Sequence, residues 1–100
     1  MDKYDVKLYP EAYRNIDDIY AYISETLCEP GSAENVVSLI ERTIWSLEVF
    51  PERGAILKSN QLIGKGYRHV FAGNYIIIYR VIADTKEVRV LTVRYSRSNL

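Results

Sequence analysis

One cysteine, one histidine, one tryptophan and one methionine are all that this 100-residue chain carries of those residues, with only three prolines and five glycines. The lone Cys28 excludes an internal disulfide, and with His69 the only histidine a zinc cage would have to be built mostly from carboxylates. No apolar run approaches the ~18 residues that span a bilayer. The first residues, Met1-Asp2-Lys3-Tyr4-Asp5, lack the apolar core of a signal peptide. Repeats and low-complexity tracts are lacking too. These absences lead to the expectation of one domain over residues 1–100, cytoplasmic, without metal, cofactor or membrane attachment.

What is present is an ordinary folding composition, 48% hydrophobic and 26% charged. A chain of this length can bury roughly two-thirds of its unfolded surface. The net charge of zero conceals an asymmetry. Residues 1–57 hold five Lys and Arg against eleven Asp and Glu, whereas residues 58–100 hold eight against two, so the halves carry −6 and +6. Such a division points to a polyanionic or acidic partner for the second half.

Tyr4 to Tyr9 alternates apolar and charged residues, which predicts a short half-buried strand that Pro10 ends. From Pro10 to about Cys28, Ala12, Ile16, Ile19, Tyr20, Ile23 and Leu27 recur at steps of three and four, predicting an amphipathic helix. Glu29-Pro30-Gly31-Ser32 breaks it, with Ser32 as expected N-cap of a second helix that carries Ala33, Ile40, Ile44 and Leu47 and ends near Phe50-Pro51. So short a break favours an antiparallel helical hairpin. Leu39 and Trp45 lie off the second stripe and are candidates for an exposed patch. The stretch from Ala55 to Lys65 has no periodicity, although it supplies Lys58 and Lys65. Tyr67–Ala72, then Gly73-Asn74, then Tyr75–Ile82 read as a hairpin with a two-residue turn. The β-branched and aromatic run in Tyr75–Ile82 suits a central strand covered on both faces. After Ala83-Asp84-Thr85-Lys86, Glu87–Arg94 completes a meander. The fold class is therefore α+β, in the order β-α-α-β-β-β, with a small antiparallel sheet packed against the helical hairpin.

Val6-Lys7-Leu8, Ile16-Asp17-Asp18-Ile19-Tyr20, Phe50-Pro51-Glu52-Arg53-Gly54, Gly66-Tyr67-Arg68, Tyr75-Ile76-Ile77-Ile78-Tyr79-Arg80-Val81 and a last strand ending in Arg form an ordered set along the chain. In this the sequence resembles the RelE/ParE superfamily of bacterial toxins from type II toxin–antitoxin systems, over essentially its whole length. The resemblance implies a helical hairpin on one face of the sheet and a concave, often basic face opposite. It also implies a cognate antitoxin as partner, with specific DNA binding left to that antitoxin. Members resembling RelE or YoeB cut mRNA on the ribosome, whereas members resembling ParE act on DNA gyrase. A third state, a degenerate toxin that only binds its antitoxin and regulates its operon, is the alternative.

The residues that the resemblance offers as catalytic candidates are Arg68, Arg80, Arg94, Tyr95 and Arg97. Guanidinium groups would hold phosphate, and Tyr95 would stack on a base or relay a proton. Each has an ordinary structural reading beside this one, such as a strand-edge arginine at Arg68, an Arg80 salt bridge to Asp84 or Glu87, or a fraying terminus at Arg94 and Arg97. Arg94-Tyr95-Ser96-Arg97 resembles the Arg-Tyr-His-Tyr ending of the YoeB branch, but Ser96 stands in the histidine's place and is a poor acid or base near neutral pH. His69, one residue from Arg68, should point to the opposite face and pack. The long hairpin looks more like ParE-type members, and a pI near 6.6 is low for a protein that must hold ribosomal RNA.

Overall fold

The alternation at the start of the chain forms strand β1, Asp5–Leu8, in a computed structural model that describes residues 3–57 and 66–97. Helix α1, Pro10–Ala21, follows with Pro10 in its first turn, and continues into a π-helical turn over Tyr22–Thr26. Helix α2 spans Pro30–Trp45. It starts two residues before the expected Ser32 cap, because Pro30 has the fixed φ and the missing N–H that suit a first helical turn. Glu29 takes the cap position without a side-chain bond. Ala12 on α1 and Ala33, Ile40 and Ile44 on α2 are the buried positions of the hairpin. Tyr13 and Tyr22 are each 56% exposed. Each lies one residue, about 100°, from a buried position on its helix.

The remaining strands are β2, Ala55–Ile56, β3, Tyr67–Ala72, β4, Tyr75–Ile82, and β5, Glu87–Tyr95. Gly73, at φ 61°, makes the two-residue turn between β3 and β4 that the sequence suggested. Lys86 closes the next turn at φ 53°. The sheet order is β1-β5-β4-β3-β2. It is not wholly antiparallel as expected, because β1 lies parallel to β5. Parallel neighbours need a long crossover, and here both helices and the meander lie between them. The stretch expected to be irregular contains β2, which pairs with His69 and Arg68. Lys58 and Lys65 lie outside the described residues.

The helices cover one face of the sheet. Ile40, Ile44 and Leu47 meet Ile77, Tyr79, Val88, Val90 and Val93 there. Burying each such side chain contributes about 1.5–3 kcal/mol as an upper bound. A smaller cluster of Leu57, Ile76 and Ile78, flanked by Tyr67 and Leu91, sits on the other face. Strand β4 is thus covered on both sides, as its unbroken apolar run implied.

One polar group is locked inside the larger core. The fully buried Tyr79 hydroxyl donates to the Pro51 carbonyl at 2.5 Å and accepts from the Gly54 N–H at 3.1 Å. These bonds pin the 3₁₀ turn Pro51–Arg53 against the sheet. A Cβ on Gly54 would fall on that hydroxyl and stand 2.7 Å from the His69 carbonyl, so only glycine fits.

Candidate functional surfaces

Cross-strand partners share a face of the sheet, so the register places every candidate side chain. On the face away from the helices, Lys7 pairs with Arg89, Arg89 with Arg80, and Arg80 with Tyr67. Four strands therefore contribute one row holding three cations and a phenol. The preceding row brings Glu87 beside it. Glu87 accepts from the Lys7 ammonium at 2.7 Å and from the Arg89 guanidinium at 2.9 Å. These two hydrogen bonds pull its carboxyl down to about 2. Arg80 carries no hydrogen bond or ion pair among the described residues and is exposed, so the suggested bridges to Asp84 and Glu87 do not form.

Further along the same face, Thr92, Ile78, His69 and Ala55 form a mostly apolar row. His69 does face away from Arg68. Its ring meets Phe71 edge-on at 5.5 Å, and its Nδ1 is buried without a partner among the described residues. Arg94, Ile76 and Phe71 make the next row. Arg94 is four β4 positions from Arg80, about 13 Å along the strand. Its guanidinium stands 4.0 Å from Glu11 on α1.

The other candidates lie elsewhere. Arg68 pairs with Tyr79 on the helix side, and its guanidinium donates to the carbonyls of Glu52 at 3.0 Å and Gly54 at 2.8 Å. It braces the same turn as Tyr79. Tyr95 pairs with Tyr75, also on the helix side, the rings meeting edge-to-face at 5.6 Å. Arg97 is exposed in the turn that follows β5, where the Ser96 N–H is anchored to the Asn74 carbonyl at 2.8 Å. The structure thus gathers Arg80 with two cations the sequence reading passed over, Lys7 and Arg89, and separates it from Arg68, Arg94, Tyr95 and Arg97. The signal missed was the charged half of the β1 alternation, which becomes informative only once β1 pairs with β5.

A second surface lies where the helical hairpin overhangs the ends of β4 and β5. Strand β5 bulges opposite Ile78 and Tyr79, and past Val90 it has no β1 residue opposite it, because β1 ends at Leu8. Asn15 of α1 covers part of it, its Oδ1 accepting from the Thr92 hydroxyl at 2.5 Å and the Val93 N–H at 3.1 Å. Beside this cap opens a cavity of about 800 Å³ lined by Ile19, Ile23 and Val36 of the helical layer and by Tyr75, Val93 and Tyr95 of the sheet. Burial and the neighbouring Tyr95 and Tyr22 phenols raise the pKa of Tyr75. Nearby carboxylates are Asp18 and Glu29.

No group of three or more His, Cys, Asp or Glu side chains among the described residues is placed to hold a metal ion, and no helix among them is long and apolar enough to cross a membrane. No curated protein matches the sequence. Solved structures resemble the fold. A chain from the chromosomal ParDE toxin–antitoxin system of P. aeruginosa superposes with a TM-score of 0.75 at 22% identity, covering 93% of this chain and 96% of that one. A chain of the RelBE2 toxin–antitoxin complex of Mycobacterium tuberculosis gives 0.71 at 20% identity, covering 95% and 93%. One from the archaeal RelE–RelB complex of Pyrococcus horikoshii OT3 gives 0.66 at 16%, covering 97% and 99%. These share the α+β layer arrangement and the mixed sheet. The model of the ParE toxin of type II toxin–antitoxin systems, parDE, matches residues 6–100, nearly the whole length, and the chain therefore belongs to the ParE toxin family.

Proposed function

We propose that this toxin arrests growth by gripping its target with the open face of the sheet rather than by breaking a bond, and that the target is DNA gyrase. The observation that carries the reading is the dispersal of the candidate catalytic groups. Cleavage of a ribose phosphate needs a base, a phosphate-stabilising cation and an acid within hydrogen-bond reach of one reacting centre. Arg80 and Arg94 are about 13 Å apart along a strand, and Arg68 and Tyr95 lie on the opposite face. Arg68 is engaged with backbone carbonyls. The row of Lys7, Arg89 and Arg80 instead keeps a net positive charge after Glu87 engages its first two members, and Arg80 stands exposed to meet an acidic protein surface or phosphates held by one.

The antitoxin, in this reading, places an apolar segment in the cavity between the helical hairpin and the Tyr75–Tyr95 pair. Such segments fold on binding and cover large areas.

Inducible expression in one culture, followed by a DNA-damage reporter and by mapping of mRNA 5′ ends, tests the proposal. A damage response with intact messages is the expected result, together with inhibition of purified gyrase. Arg80→Glu should weaken that inhibition at least tenfold while leaving the fold intact, because Arg80 is exposed and unpaired among the described residues. New cuts in translated messages would overturn the binding-only reading in favour of a ribosome-dependent nuclease. Normal growth with neither signal would mark the degenerate toxin.

A further inference from the structure

The outer seam of the helical hairpin carries a slot that neither the basic row nor the large cavity uses. Tyr13, Ile16 and Asp17 of α1 face Glu41, Ile44 and Trp45 of α2 across it, over a volume of about 120 Å³. Ile16 and Ile44 make the floor, and Ile44 is buried in the core. Tyr13 and Trp45, 56% and 49% exposed, line it with little packed against them. Asp17 and Glu41 line it as well.

Three features of the slot point to one kind of occupant. Two carboxylates, Asp17 of α1 and Glu41 of α2, line the same slot with no ion pair or hydrogen bond to either among the described residues. A cation seated in the slot is attracted by both charges. Tyr13 and Trp45 are exposed aromatic rings of the kind on which guanidinium and ammonium groups stack, tryptophan most of all. The layer around the slot has the same sign. Residues 10–48 hold eight Asp and Glu against Arg14 and Arg42 alone. Arg42 makes no ion pair with Glu41 among the described residues, and its Nε donates to the Ser38 carbonyl at 3.3 Å. An acidic layer attracts a basic segment over distance, and the slot then orients it.

We infer that this acidic, aromatic slot is a docking site for a basic segment of a partner protein, with one arginine or lysine side chain lying between Tyr13 and Trp45 and its charge on Asp17 and Glu41. The volume suits one extended side chain. The site lies on the helical layer, away from the sheet face assigned to the toxin's target, and it does not rest on that assignment.

Trp45 is the only tryptophan, so its fluorescence reports on the slot directly. Titrating the intact protein with a tetra-arginine amide peptide should give a saturable change in Trp45 emission that weakens as salt rises. Asp17→Asn with Glu41→Gln keeps the shape of both exposed side chains and should weaken binding at least tenfold, with circular dichroism unchanged. Amide shifts on the isotope-labelled protein should cluster at residues 13–17 and 41–45. A titration without a saturable change overturns the site, as does equal binding by the double variant. Shifts centred instead on Asp18 and Glu29, at the large cavity, would assign the cation to that surface and overturn it as well.

Discussion

Replacing Tyr79 by phenylalanine removes one oxygen atom and leaves the buried ring in place. The Pro51 carbonyl and the Gly54 N–H then lose their shared partner inside the core. Pro51 and Gly54 are themselves buried, so water has little access to either group. A buried polar group left unmatched costs ~1–3 kcal/mol, and relaxation of a three-residue turn returns part of that, so a loss of about 2–4 kcal/mol is expected. For a domain of this size each kcal/mol lowers Tm by roughly 4–8 °C. Urea unfolding followed by Trp45 emission and by circular dichroism should show a lower midpoint with an unchanged slope, since the area exposed on unfolding hardly changes. The variant should also differ at high pH. Burial raises the Tyr79 pKa above 10, more than its bond from Gly54 and the nearby Arg53 and Arg68 charges lower it. The folded state therefore holds this proton more tightly than the unfolded chain. The associated stability is complete below pH ~10 and is lost as pH rises through the folded pKa. Tyr79→Phe should lack that contribution, leaving the one from Tyr75, whose pKa is also raised. A stability loss below about 1 kcal/mol would refute the argument that this hydroxyl holds the turn.

Arg68→Ala should destabilise the protein by about 1–3 kcal/mol through its two lost carbonyl contacts. Gyrase inhibition per folded molecule, measured with a folded-fraction control, should persist, and its disappearance would return Arg68 to the functional set. Glu87→Gln should flatten the acid limb of the stability curve. The Glu87 carboxyl is held down at about 2, against 4.5 unperturbed, so its contribution is present above pH ~4.5 and is lost as pH falls toward 2. Acid titration of both proteins by circular dichroism checks this, and superimposable curves would show that the Lys7–Glu87–Arg89 cluster is screened at the surface.

Local chemistry was legible where a short stretch decides its own conformation. Gly73-Asn74 specifies its hairpin turn through the φ of Gly73, and the Ala12–Ile16–Ile19–Ile23 spacing specifies a buried helix face. The unbroken run from Ile76 to Tyr79 announces a strand covered on both sides. The ordered motifs also carried the family resemblance, although the glycine at position 54 answers to the tertiary approach of Tyr79 and His69 rather than to its own segment. The candidate site was less legible. Arg68 and Arg80 look alike in sequence, yet their places in the register give one to the backbone of a turn and leave the other free on the open face. Tyr95 resembles a catalytic neighbour of Arg94, but adjacent strand residues point to opposite faces, and its ring joins Tyr75 beneath the helices.

The sequence by itself determined the elements other than β2, their order and the opposed charges of the two halves, since periodicity, turn residues and composition are local properties. Tertiary structure alone decided which charges work together. Lys7 and Arg89 are neighbours only because the helices and the meander carry the chain around to a parallel pairing. Asp17 and Glu41 line one slot only because the hairpin folds α1 against α2. Contacts of this kind depend on strand register and helix packing, which are set by the burial of the whole core rather than by any one segment.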